Sequence, residues 1–441
     1  MTARFEEKKH LSAKGLLKRI RESFEKVKDP KQGSRNGTIP LEDCLMSALA
    51  IFGLKYPSLL QFEKHKNEEI IKHNLKNLYG VNQAPCDTYL RERIDTVDPE
   101  EIRPAFSEVF SLLQRGKVLE GYTFIDNHYL LLADGTGFFS SKSVHCKNCC
   151  EKKHRNGTVT YSHMMLGATL AHPDHKEVIP LCPEPIAKQD GSVKNDCERN
   201  ASKRLIAKFR KEHPHLPVIL VEDGLSANAV HLRLCQENKM RFITVVKPDG
   251  NKTLFSQLEK VPLQEKTMHD EKGTLRHRMR FINKIPFNDA DPTLQVNVVE
   301  YWAYDKEGCK SYHNTWVTDI TITEANVFDI VRGGRARWKV ENETFNTLKN
   351  QGYNFEHNYG HGKENLSTMF GMLMMLAFLV DQVQQRCCGL FQAALTKLGS
   401  KRSLWERIRG AFCWFKIGSW KDLFEGIVYG LVDSRYVPNT S

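Results

Sequence analysis

Three acidic residues occupy places where a carboxylate needs a partner. Asp134 closes the apolar run "YLLLAD" and Asp223 closes "VILVED", and each is followed by a glycine that permits a sharp turn. Glu341 lies in "ARWKVENETFNTLKNQGY". At about 100° per residue, a helix there puts Glu341 on the same core-facing arc as Trp338, Phe345 and Leu348, with Glu343 on the opposite side. Desolvating a lone carboxylate is costly, so such a residue calls for a cation. Three carboxylates drawn together would suit hard divalent ions, and two Mg2+ (or Mn2+) ions about 4 Å apart support in-line phosphodiester chemistry. Arg337, one turn before Glu341, is spaced to pair with it or to hold a phosphate bidentately. Taken singly, each Asp-Gly also reads as a turn cap. Glu222, beside Asp223, falls on the opposite face of its strand by alternation.

A second constellation is "HCKNCCEKKH" at 145–154. Cys146, Cys149, Cys150 and His154 supply half of a structural zinc site, with Cys182 and Cys197 as distant partners. Without a second pair at a recognisable spacing, reduced thiols are the favoured reading. His357 and His361 in "GYNFEHNYGHGKENLS" are set among glycines that argue for a loop, so they are read as shaping the approach to the next helix.

The elements that must position these residues follow from periodicity. Residues 1–115 carry apolar spacings of three and four and read as a basic helical region. From residue 120 come three strands, a helix over "DCERNASKRLIAKFRKEH", the short buried-type strand "PVILVEDG", a second helix and the strand "MRFITVVK". That order is the order of a ribonuclease-H-like core. Residues 252–321 read as an antiparallel β insertion, 322–385 return to the core through the Glu341 helix, and 386–441 form a helical C-terminal region. The expected fold class is therefore α/β: a ribonuclease-H-like mixed sheet core, an inserted antiparallel β subdomain, and helical N- and C-terminal regions.

Composition narrows the partners. The chain has 441 residues, 40% of them apolar, and a formal net charge of +11. Residues 1–36 hold eleven Lys or Arg against five Asp or Glu. A basic balance favours a polyanionic partner. No secretion signal opens the sequence, and "MFGMLMMLAFLV" at 369–380 is too short to span a bilayer, so it reads as a buried helix. Twelve cysteines without a signal segment suggest reduced thiols in a cytoplasmic setting, away from membranes.

"LADGTGFFSS", "VILVEDGLSANAV" and "RARWKVENETFNTLKNQGYNFEHNYGHGKENLS" resemble the three catalytic blocks of bacterial insertion-sequence transposases of the Asp-Asp-Glu (DDE) class, in the branch with a β insertion before the glutamate. The resemblance runs over roughly residues 120–385. In that family the pattern Y-x2-R-x3-E-x6-K surrounds the glutamate; here Arg337 and Glu341 keep R-x3-E, Gly334 stands at the tyrosine position, and Lys349 lies one residue late. The resemblance implies a DNA transposase with Asp134, Asp223 and Glu341 as catalytic metal ligands. Arg337 and Lys349 would contact phosphates. Trp316 would stack on an unpaired base, although a core role suits that tryptophan better. Terminal inverted repeats, bound by the basic region 1–115, and target DNA would be the partners, and a homodimer the DNA-bound state. Two readings from other classes stand beside it: a structure-selective, metal-dependent DNA nuclease that cuts without joining, and a non-catalytic DNA-binding regulator.

Overall fold

A computed structural model describes residues 9–30, 39–188 and 195–430. Parts of the basic N-terminal arm (1–8 and 31–36) and the last residues of the C-terminal region (431–441) lie outside them.

Among the described residues, the centre is a mixed sheet of eleven strands flanked by helical regions on its N- and C-terminal sides. The strands are β1 (Tyr129–Ser141), β2 (Cys150–Lys153), β3 (Val159–Ala171), β4 (Ile179–Pro180), β5 (Glu184–Ile186), β6 (Val218–Glu222), β7 (Arg241–Val245), β8 (Gln264–His269), β9 (Arg276–Pro286), β10 (Gln295–Tyr304) and β11 (Lys310–Thr318). Their order is β2-β3-β1-β6-β7-β11-β10-β9-β8, with β4 and β5 also paired to β3. β1 runs antiparallel to β3 and parallel to β6, and β6 is parallel to β7. The central strands read as unbroken apolar runs because both faces are covered: Leu130 to Ala133 and all of β6 are buried. The strands of the predicted insertion join this sheet, since β11 pairs antiparallel with β7.

Among the described residues, six α-helices precede the sheet: α1 (Ala13–Phe24), α2 (Leu41–Gly53), α3 (Leu59–His65), α4 (Glu69–Asn74), α5 (Asp87–Ile94) and α6 (Arg103–Arg115). α7 (Glu198–Glu212), α8 (Ala229–Glu237) and α9 (Lys252–Leu258) cross between strands, and α10 (Val327–Arg335) and α11 (Asn346–Asn350) bracket the Glu341 segment. The described residues close with α12 (Leu366–Cys387), α13 (Gly389–Leu398), α14 (Lys401–Trp414) and α15 (Trp420–Tyr429). α12 is long and apolar enough to cross a membrane, yet 94% of its most apolar window is buried within the protein. Lys55, just after α2, closes the packing of the helical regions. Its ammonium lies 2.5 Å from Asp381 of α12 and 3.9 Å from the Trp405 ring of α14. Burial lowers the pKa of Lys55, against the pull of Asp381.

Two local expectations change. Asp134 does not end its strand: β1 continues through Gly135 to Ser141, and Asp134 pairs in register with Gly167. The Glu198 carboxylate occupies the space that a Cβ on Gly135 would take. The Glu341 segment is not a uniform α-helix either, because Val340–Phe345 forms a π-helical turn. The wider turn breaks the 100° phase, so Val340, Thr344 and Phe345 face the sheet while Glu341 and Trp338 are exposed.

Candidate metal centre and acidic cluster

Among the described residues, one convergence of four ligand atoms joins two thiols and two imidazoles. Cys146 and Cys149 lie in the turn between β1 and β2, His163 on β3, and His361 in the segment between α11 and α12. Cys146 Sγ is 3.9 Å from Cys149 Sγ and 3.4 Å from His163 Nε2. Cys149 Sγ is 3.4 Å from His163 Nε2 and 3.4 Å from His361 Nε2. All four ligand atoms fall within 4.8 Å of one another, and all but Cys146 belong to buried residues.

Neighbouring contacts hold this geometry. Phe139 packs on His361 with ring centroids 4.3 Å apart, and Phe138 stacks beside His163. Asn148, inside the C-x2-C turn, donates to the Glu364 carbonyl at 2.8 Å. Asp95 then accepts the amide N–H groups of Lys363, Glu364, Asn365 and Leu366 at 2.8–3.0 Å, fixing the start of α12. The Cys146 amide donates to Cys149 Sγ at 3.4 Å. The hydrogen bond from Cys149 draws the Cys146 thiol well below its ordinary range. Burial opposes this, and His163 and His361 reinforce it; Cys149, the donor, is held up in turn.

Two of the four residues weighed for zinc, Cys146 and Cys149, belong to this cluster, and its converging ligand atoms overturn the preference for reduced thiols over a zinc site. Cys150 points away, its thiol reaching the Ile186 carbonyl at 3.5 Å, because alternation along β2 sends it into the core. His154 bonds Thr160 at 2.8 Å across the β2–β3 hairpin. Cys182 is buried against its own loop, and Cys197 is exposed before α7. Spacing could not reveal the true partners: His163 reads as an ordinary strand residue, and His361 sits in a glycine-rich loop far along the chain.

A second group, Glu222, His231 and Cys235, is wholly buried. Glu222 already accepts from Ser202 Oγ at 2.7 Å and is 2.5 Å from His231 Nε2. These bonds explain why the inward acidic residue of β6 is tolerated, and Asp223 is the outward one.

The carboxylates take a different arrangement from the one expected. Asp134 Oδ2 is 2.6 Å from Arg337 Nη1, and Gly135 N–H donates to its other oxygen at 2.9 Å. Asp223, at the end of the parallel neighbour β6, caps the next turn by accepting from Leu225 N–H at 2.9 Å. Burial raises the Asp134 carboxyl above its ordinary value, Arg337 and Gly135 oppose this, and Asp223 adds to it. Glu198, the first residue of α7, is raised by burial and then by Asp134 and Asp223. The third acidic group beside the two aspartates is thus Glu198, a residue the sequence patterns missed. Glu341 is exposed, and Lys349 is held by Glu356 at 2.9 Å. Trp316 is fully buried, and a Cβ on Gly334 would lie only 2.6 Å from its indole nitrogen, so its ring offers no open face to a base. Trp338, by contrast, is 55% exposed. It lines an open pocket of about 380 Å3 with Tyr312, Arg332, Arg335 and Lys339.

Among the described residues, the groups close enough to share a metal are therefore Cys/His and Glu/His/Cys clusters, and Asp134, Asp223 and Glu341 are not among them. This overturns the Asp-Asp-Glu ligand trio, the Mg2+ (or Mn2+) pair it was to bind, and the DDE-type transposase activity inferred from them. No protein-family model matches the chain, and no curated protein matches it in sequence, so the resemblance to insertion-sequence transposases has no support there either.

Proposed function

We propose that the chain is a metal-dependent, structure-selective DNA nuclease that cuts a phosphodiester without joining the ends. One observation carries this reading: three of the four ligands of the Cys/His centre lie on the same two stretches of chain as the Asp134–Arg337 pair, and the fourth, His163, is on β3, the strand paired with β1. β1 carries Asp134 and leads into Cys146 and Cys149, while the segment after α10 carries Arg337 and leads to His361. A metal held by the four ligands would fix these stretches relative to each other and so set the reacting groups.

The chemistry follows from the two raised carboxyls. Arg337 keeps Asp134 ionisable, which suits a general base, whereas the influences that raise Glu198 include both neighbouring aspartates, which suits a general acid. A water oxygen attacks phosphorus as Asp134 takes its proton. The P–O bond to the leaving oxygen breaks with its electron pair, and Glu198 protonates that oxygen. Arg337 balances charge on the phosphate. The exposed Trp338 among Arg335 and Lys339 supplies a stacking face for an unpaired base, the role that the resemblance implied for Trp316. The net charge of +11 supports DNA as the partner. The strand order β2-β3-β1-β6-β7, with β3 antiparallel, supports a ribonuclease-H-like core as the finer description of the sheet.

The test is incubation of the full chain with end-labelled linear, nicked and branched DNA. Cut products that are lost in Asp134→Asn and Glu198→Gln are expected; joined strands, or DNA left intact throughout, would refute the reading.

A further inference from the structure

We infer that Cys146, Cys149, His163 and His361 form a closed, tetrahedral zinc site. It would clamp the β1–β2 turn and β3 to the segment that leads into α12. The distances carry the inference. Zinc bonds of about 2.3 Å to sulfur and about 2.0–2.1 Å to nitrogen place tetrahedral ligands about 3.8 Å apart for S···S and about 3.6 Å for S···N. The structure has 3.9 Å for the two sulfurs and 3.4 Å for three S···N pairs. A disulfide would bring the sulfurs to about 2.0 Å, so Cys146 and Cys149 are separate thiols.

Ligand chemistry selects the ion. Two thiolates and two imidazoles suit zinc and disfavour hard cations such as Mg2+. Four protein ligands leave no open position, which makes the site structural. The setting fits as well: aromatic rings exclude water from the imidazoles, and an amide N–H supports one sulfur. Cys149 and His361 are 212 positions apart, so the ion ties together parts of the chain that no local element joins.

Whether the chain cuts DNA has no bearing on this inference, and its test needs no activity. The full chain is purified without chelator and its zinc measured by elemental analysis. One zinc per chain is expected, falling to none in the Cys146→Ser/Cys149→Ser double variant and unchanged in Cys150→Ser and His154→Ala. A second equivalent that survives the double variant would belong to Glu222, His231 and Cys235 and leaves the inference standing. Should the double variant fail to fold, Co2+ replacement in the unaltered chain decides. Tetrahedral visible bands with a thiolate charge-transfer band support the site, and octahedral Co2+ refutes it. A chain that takes up no zinc, or double-variant protein that keeps every equivalent, overturns it.

Discussion

Cys149 Sγ and His361 Nε2 lie 3.4 Å apart across 212 positions of sequence. A metal there acts as a cross-link that exists only in the folded chain, so binding and folding are one equilibrium. At free zinc a thousandfold above the dissociation constant, the linkage is worth about 4 kcal/mol. Stripping the metal is therefore expected to lower the thermal unfolding midpoint, and restoring zinc to return it. The check is calorimetry before and after chelation; an unmoved midpoint in demonstrably metal-free protein would count against the clamp.

Asp95 anchors the same region from the other side. Burial alone would raise its carboxyl, but the amide groups of Lys363, Leu366, Glu364 and Asn365 outweigh it and hold the group below its ordinary value. Because the folded pKa is depressed, its stabilisation is present above the unfolded carboxylate value, about 3.9, and is lost as pH falls through the lower folded value. Asp95→Asn should cost about 1–2 kcal/mol near neutrality, the range for losing a charged cap. It should also flatten the acid side of the stability curve. Denaturant melts at several pH values measure both, and an unchanged acid slope would show that the charge does not matter.

Removing Arg337 tests the acidic cluster. Its guanidinium counteracts the burial that raises Asp134, so Arg337→Ala should move the acid limb of the cleavage-rate profile to higher pH while lowering the rate. Arg337→Lys should restore the position of that limb but not the full rate, since an ammonium cannot fork onto a phosphate. Single-turnover rates across pH decide. An acid limb that stays put in Arg337→Ala would remove Asp134 from the role of base.

The two tryptophans should separate stability from binding. Trp338 is 55% exposed and Trp316 is fully buried. Trp338→Ala is expected to leave stability within about 0.5 kcal/mol and to weaken binding of DNA with unpaired bases by about 1–3 kcal/mol. Trp316→Ala should cost about 3–5 kcal/mol of stability. Paired melts and fluorescence titrations check these expectations, and equal affinity in Trp338→Ala would take the pocket out of DNA recognition.

Much of the architecture was legible. "YLLLAD", "VILVED" and "MRFITVV" are apolar on both faces and lie at the middle of the sheet, and the apolar run at 369–380 is the buried heart of α12. The site was legible only where its chemistry is local. C-x2-C marks Cys146 and Cys149 as half a site, yet the sequence alone favours reduced thiols, because the glycines beside His361 argue for a loop and His163 carries no spacing signal; tertiary folding alone brings both imidazoles in. Glu341 was misplaced for a different reason. A helical wheel assumes one pitch, and the π-helical turn at Val340–Phe345 rotates Glu341 and its neighbours away from the phase set by Arg337. Glu198 was hidden because "DCERNASKRLIAKFRKEH" signals only a helix, and folding alone brings that helix's first residue beside Gly135 and Asp134.

The most direct measurement is cleavage of end-labelled branched DNA by Asp134→Asn protein whose zinc content matches that of the unaltered chain. If the metal centre sets the frame and Asp134 takes the proton, the unaltered chain cuts and the variant, equally loaded and equally folded, is slower by about 100-fold or more. Equal rates for the two proteins, or DNA left whole by the fully loaded unaltered chain, would contradict the account.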